Sequence, residues 1–330
     1  MLCLIIKLLF QMKFDKKIKN ILITGGAGFI GSNLARILTQ EYNFKVTIFD
    51  DFFTGSEENI RGLSAEVIKA SVLDETALKK HVNNKDIVFH LAARNIIASI
   101  KNPLDDMNTN IRGTYNVLTE CKIANVKKTV YASTSSIYGN SKQIPINEDE
   151  TPNFLNFYSV SKYAGEGYTK IFYEQYDLPV CIVRYSNVYG TNQSASNPYC
   201  GVVGKFINLA LQNKPLEIHG DGEQTRDYTF VDDACRATIH AALDPKSIGD
   251  VFNIGTGTET SVNLLSSTII KLSNSNSKIV HIDKREIDNI RRRVLNIEKI
   301  RYKLKFFPVY TLNEGIQKTI NWYSNHRHKK

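Results

Sequence analysis

Tyr158 and Lys162 stand one helical turn apart in Tyr-Ser-Val-Ser-Lys, so they share one face of a helix. A free tyrosine has a pKa of about 10 and is a poor base at neutral pH. A neighbouring ammonium, joined by any other positive charge, favours the phenolate and is expected to lower that value. Such a phenolate takes the proton of a carbinol while hydride leaves the carbon. Ser133 and Thr134 open a hydroxyl-rich run, Ser133-Thr134-Ser135-Ser136, that can hydrogen-bond the same oxygen. Alone, a Tyr-x-x-x-Lys pair is usually a surface pair on an amphipathic helix. Its neighbours give it meaning.

The hydride needs an acceptor. Gly26-x-Gly28-x-x-Gly31 lies within Thr24-Gly25-Gly26-Ala27-Gly28-Phe29-Ile30-Gly31, after a short apolar strand and before a helix. Glycines there permit a tight turn, close backbone approach to a pyrophosphate and close helix–strand packing, and the helix N-terminus offers free N–H groups to phosphate. Asp50 closes the next strand. A carboxylate there accepts the adenosine ribose hydroxyls and repels a 2′-phosphate, which favours NAD over NADP. Asp51 is expected to be a loop residue. Asp74 either caps the following helix or serves the adenine-side loop.

The elements that must position these residues alternate. Apolar runs predict strands over 21–23, 45–49, 66–69, 86–91, 128–132 and 180–184, with helices over 32–42, 108–124 and 158–176 among them. That is an α/β chain with a doubly wound parallel sheet of Rossmann type. Thr134 then falls at the carboxyl end of a strand, where open α/β sheets bind ligands. The dinucleotide domain is expected over 12–185. Residues 186–330, which begin with a polar loop at 192–200, are expected to form a smaller, mainly substrate-binding lobe with segments returning to the first domain.

Of 330 residues, 42% are hydrophobic, enough for a large core. Five dispersed cysteines with no C-x-x-C imply free thiols in a reducing cytoplasm, and neither cysteines nor histidines show metal-ligand spacing. The net charge of +9 comes with no nucleic-acid-binding motif. The apolar start, MLCLIIKLLF, is too short to span a bilayer and has no small-residue cleavage site after it. Met12 is the expected start, with 1–11 an upstream extension.

From about 21 to 323 the chain resembles the extended short-chain dehydrogenase/reductases, specifically the nucleotide-sugar epimerases and dehydratases of the UDP-glucose 4-epimerase-like kind. The likeness is carried by TGGAGFIG at 24–31, HLAA at 90–93, YASTSSIYG at 131–139 and YSVSK at 158–162. It continues with RYSNVYG at 184–190, GDGEQTRDYTFVDD at 220–233 and FNIGTG at 252–257. By resemblance, NAD is held by Gly25, Gly28, Phe29, Ile30, Gly31, Asp50 and Ala92, with Tyr158 as catalytic base and Lys162 as its activator and ribose ligand. Thr134, with Ser133 beside it, contacts the sugar oxygen. Asn187 contacts the nucleotide sugar, and Arg226 and Arg285 grip its diphosphate. The resemblance also implies a homodimer built on the 108–124 and 158–176 helices.

Departures narrow the reaction. Dehydratases of this group carry an Asp-Glu pair where this chain has Ser135-Ser136, and UDP-glucuronate decarboxylases keep a glutamate at 136. Elimination and decarboxylation therefore lose their acid. Many UDP-glucuronate 4-epimerases have threonine in place of Asn187, which leans toward a neutral hexose. Arg293 stands where the resemblance implies a residue near the sugar C2 substituent, and Ser71 stands where an adenine-side aspartate is common. The resemblance thus implies a 4-epimerase of a UDP-hexose with bound NAD, serving polysaccharide precursors. Uronate or N-acetylhexosamine epimerisation and 4-keto-sugar reduction or dehydration are the alternatives.

Overall fold

The computed structural model describes residues 18–193, 201–284 and 290–327. The apolar start, Met12, Arg285 and most of the 192–200 loop lie outside them. The strands are β1 (Asn20–Thr24), β2 (Lys45–Asp50), β3 (Ala65–Lys69), β4 (Ile87–His90), β5 (Lys128–Thr134), β6 (Val180–Tyr185) and β7 (Asn187–Tyr189). After them come β8 (Leu216–His219), β9 (Thr225–Arg226), β10 (Tyr228–Phe230), β11 (Asp250–Ile254), β12 (Thr260–Ser261), β13 (Ile279–Ile282) and β14 (Arg292–Arg293).

Seven strands make one parallel sheet in the order β11-β6-β5-β4-β1-β2-β3. Their apolar runs are continuous because both faces are covered. Ile21 and Ile23 of β1 point into a layer with helices α1 (Phe29–Gln40) and α4 (Val231–Leu243), whereas Leu22 points into the opposite layer. That second layer holds α2 (Gly113–Ile123) and α3 (Phe157–Tyr176). Helix α5 (Leu312–Arg327) packs against the first layer. The chain runs outward through β1, β2 and β3, then returns to lay β4, β5 and β6 on the other side of β1. The order reverses between β1 and β4, and the crevice beyond their carboxyl ends is where such a sheet takes a ligand.

The helix predicted over 108–124 is not one helix. Met107–Arg112 forms a wider π-helical turn before α2. Asn110 is fully buried within it, and its side chain bonds the backbone N–H and carbonyl of Arg94, the Asp106 carboxylate and Ser161 Oγ. Those bonds reach across the chain and hold the wide turn, which propensity alone disfavours. β11 joins the main sheet beside β6. The remaining short strands form three small sheets, β10-β7, β12-β9-β14 and β13-β8. No described helix is long and apolar enough to cross a membrane.

Candidate active site

At the end of β1, Gly25 adopts φ +70°, and a Cβ there would lie 2.7 Å from Ala92 N. A Cβ on Gly31, in the first turn of α1, would lie 2.2 Å from the Gly25 carbonyl oxygen. Strand end and helix start therefore meet backbone to backbone. The cap of α1 is Gly28, and no side chain covers its first N–H groups. Asp50 accepts N–H bonds from Ala27 at 2.8 Å and Phe52 at 2.7 Å. Burial raises its pKa, and these bonds oppose the rise. Asp74 caps the helix after it, accepting from Ala77 N at 2.9 Å.

A cavity of about 960 Å³ is lined both by this turn and by Tyr158 and Lys162. Gly25, Gly28, Phe29, Ile30, Gly31, Asp50 and Ala92 line one end, and Ser133, Tyr158 and Lys162 line the other. A glycine cradle closed to side chains and a buried carboxylate at the end of β2, both on the wall of one large cavity, fit a dinucleotide.

At the catalytic end, Asn156 caps α3 by accepting from Ser159 N at 2.9 Å, which fixes Tyr158 in the first turn. Lys162 follows one turn later, 2% exposed, with Nζ 4.1 Å from the centre of the Tyr131 ring. Gly165 lets that ring slide under the helix, since a Cβ there would lie 2.1 Å from Tyr131 Oη. Thr134 caps the short turn Ser135–Tyr138 by accepting from Ser136 N at 3.1 Å.

The expected lowering of the Tyr158 pKa does not occur in the protein alone. Burial pushes it up to about 12, against a hydrogen bond with Thr134 and helped by the Asp106 charge. Lys162 is drawn down to about 7 by burial, which outweighs the pull of Glu166 and Asp106. Desolvation penalises each charge separately and is the larger effect at both residues.

A polar layer lies behind the pair. Glu166, four residues after Lys162, accepts two bonds from Arg184, at 2.9 and 2.6 Å, and one from Ser133 Oγ at 2.5 Å. The Ser133 hydroxyl thus donates its hydrogen bond to Glu166 while Ser133 lines the cavity. Arg184 also donates to Tyr138 Oη and to the Glu148 carbonyl. Toward the sheet centre, His90 bonds Thr24 Oγ1 at 2.7 Å and Thr114 Oγ1 at 2.9 Å. Thr114 donates onward to the Asn110 carbonyl. His90 Nε2 must therefore carry the proton, and Nδ1 accepts from Thr24. Sequence reasoning missed Glu166, Asp106, Asn110 and Arg94. Only Glu166 left a local signal, the same helical spacing that joins Tyr158 to Lys162.

Asn187 and Arg226 stand on the short strands that follow β6. Asn187 starts β7, with its N–H bonded to the Asp227 carbonyl. Arg226 on β9 donates to the carbonyls of Thr225 and Ile290, each at 2.8 Å, and is paired in register with Arg293 of β14. Neither Asn187 nor Arg226 is on the wall of the cavity. The buried Asp227 carboxylate takes N–H bonds from Thr256 and Gly257, which ties this corner to the turn after β11. Asp51 lies in the loop after β2, as expected, and pairs there with Arg94 at 3.0 Å.

Residues 21–255 match the model of the NAD-dependent epimerase/dehydratase family. The chain is 38% identical over 309 residues to a putative UDP-glucose 4-epimerase of Methanocaldococcus jannaschii, covering 92% of this chain and 98% of that one. It is 37% identical over 319 residues to the UDP-N-acetyl-alpha-D-glucosaminuronate decarboxylase of Bacillus cytotoxicus, with the same two coverages. Among solved structures, the UDP-glucose 4-epimerase of Thermotoga maritima with UDP-glucose superposes with a TM-score of 0.87 at 34% identity, covering 93% of this chain and 99% of that one. A Rossmann-type sheet, a glycine cradle and a buried Tyr–Lys pair on one cavity accord with these likenesses: the chain belongs to the NAD-dependent epimerase/dehydratase family and is an enzyme with NAD as its cofactor.

Proposed function

We propose that the protein is a nucleotide-sugar 4-epimerase acting on a UDP-hexose. The observation that carries this reading is the Tyr158–Lys162 pair on the cavity wall beside Thr134, with serines, not acids, at 135 and 136. Bound NAD supplies the acceptor and later donor of the sugar C4 hydride. Tyr158 takes the C4 hydroxyl proton and returns it to the other epimer. Thr134 hydrogen-bonds the same oxygen. Burial disfavours each charge alone, but phenolate and ammonium formed together offset one another. Arg226, with Arg285, holds the diphosphate, its planar fork matching phosphate oxygens, and Asn187 contacts the nucleotide sugar.

A second reading has a specific observation behind it. The B. cytotoxicus relative bears the name of a uronate decarboxylase and aligns along nearly the whole chain. The test serves both. Purified protein is incubated without added reductant with UDP-glucose, UDP-galactose, their N-acetyl forms, UDP-glucuronate and UDP-N-acetylglucosaminuronate, and products are resolved by proton NMR. A C4 epimer without net NADH supports the first reading. A decarboxylated or 4-keto product overturns it and supports a lyase.

Two further expectations belong to this proposal. An exposed row on α2 and α3, comprising Tyr115, Phe157, Val160, Tyr168 and Ile171, favours a homodimer through those helices. Cys121, Cys181 and Cys235 are buried free thiols, which suits a reducing cytoplasm.

A further inference from the structure

Arg94 lies in the loop after β4, and Asp51 in the loop after β2. β4 and β2 flank β1 on either side, and β1 leads into the glycine turn. A bond from Arg94 to Asp51 therefore spans the crevice above that turn, where a dinucleotide lies. Arg94 Nη1 meets Asp51 Oδ2 at 3.0 Å, and its Nε meets Asp105 Oδ2 at 2.6 Å. The guanidinium stacks on the Phe53 ring at 4.0 Å from its centre. Asp51, Phe53 and Arg94 all line the cavity.

The two halves are anchored differently. Arg94 is 11% exposed, and its backbone is held on both sides by the Asn110 side chain. Asp105 holds it from the same side of the crevice, in the helical turn Pro103–Asp106. Asp51 and Phe53 belong to the loop that follows Asp50. Opening the crevice thus needs the Asp51–Arg94 bond and the Phe53 stack to break, while Asp105 keeps Arg94 in place.

We propose that Arg94, Asp51 and Phe53 form a latch across the mouth of the dinucleotide crevice, retaining NAD through many turnovers. The latch adds a retention element to the cofactor site and leaves the reacting atoms untouched. It suits an enzyme whose cofactor is regenerated in place, since nothing is gained by releasing it each cycle.

The test is the release of labelled NAD from the loaded holoenzyme, chased with excess unlabelled NAD. No sugar is required, so the result is independent of the 4-epimerase reading. Arg94→Ala and Asp51→Asn are each expected to speed release by about tenfold, the size expected of a charged hydrogen bond. The double variant is expected to release no faster than Arg94→Ala alone, because Arg94→Ala already removes the bond that Asp51→Asn weakens. Asp105→Asn, on the anchoring side, is expected to change release less than Asp51→Asn, and Arg94→Lys to restore part of the retention. Release from Arg94→Ala within twofold of the parent overturns the latch. So does full additivity of Arg94→Ala and Asp51→Asn, which would mean two separate contacts with NAD.

Discussion

Glu166 and Arg184 meet in a two-pronged ion pair, at 2.9 and 2.6 Å, one helical turn behind Lys162. Their side chains are 1% and 4% exposed, so neither charge has water to fall back on. The pair joins α3 to β6, and through Ser133 it also reaches β5. Three elements around Tyr158 and Lys162 are therefore clamped at one carboxylate.

Breaking that clamp from one side is expected to be costly. Arg184→Met leaves a buried carboxylate without its partner and should destabilise the fold by about 3–5 kcal/mol. Combining it with Glu166→Leu removes both charges and should recover much of the loss. Urea unfolding of the two variants checks both statements.

Tyr158→Phe removes the proton acceptor but keeps the ring. Turnover should fall by about 10²- to 10⁴-fold, the usual contribution of a general base. Bound NAD should remain, since the glycine cradle and Asp50 are untouched. Quantifying NAD released from the denatured variant, beside its rate, separates the two effects.

His90 gives a pH signature. Burial, then the nearby Lys162 charge, draws its pKa down to about 3 from an ordinary 6.5. Between those values the unfolded histidine is protonated and the folded one is not. The unfolded state thus binds more protons, and stability falls as pH drops from about 6.5 toward 3. The slope is at most about 1.4 kcal/mol per pH unit for one group. His90→Asn should flatten the pH–stability curve in that window, as read by chemical denaturation.

Gly31→Ala places a methyl group 2.2 Å from the Gly25 carbonyl oxygen. Backbone stands on both sides, so nothing flexible can yield. A loss of about 1–3 kcal/mol in stability is expected from overpacking, together with loss of bound NAD. Thermal melting and NAD content measure the two.

The exposed row on α3 predicts assembly. Ile171 is 47% exposed, and Ile171→Glu puts a charge in the middle of the row. Light scattering should report a mass of two chains for the parent and one for this variant.

Much of the cofactor half was legible in the chain. The buried strands announce themselves as apolar runs because a parallel sheet is covered on both faces. The close backbone approach at Gly25 and Gly31 and the carboxylate ending β2 at Asp50 follow from the glycine spacing and the strand pattern. The layer behind the site was not legible. Glu166 finds Arg184 only once α3 lies on β6, and Asn110 shapes the turn at 107–112 through partners at 94 and 161. In the substrate half, Arg226 was named only through the resemblance, because its position is set by strands β12 and β14, which are far along the chain. The Tyr158 pKa was read from neighbouring positive charge, whereas in the chain without its cofactor burial is the larger effect.

The place of β11 bears on how the chain is made. β6 is an apolar strand, and its outer edge is covered only when β11 arrives. All of β7 to β10 and α4 are translated in between. At about 5–20 residues per second, a nascent chain carries an open strand edge for several seconds. During that interval it can pair with another nascent chain, an exposure that ends when Ile254 clears the ribosome and docks.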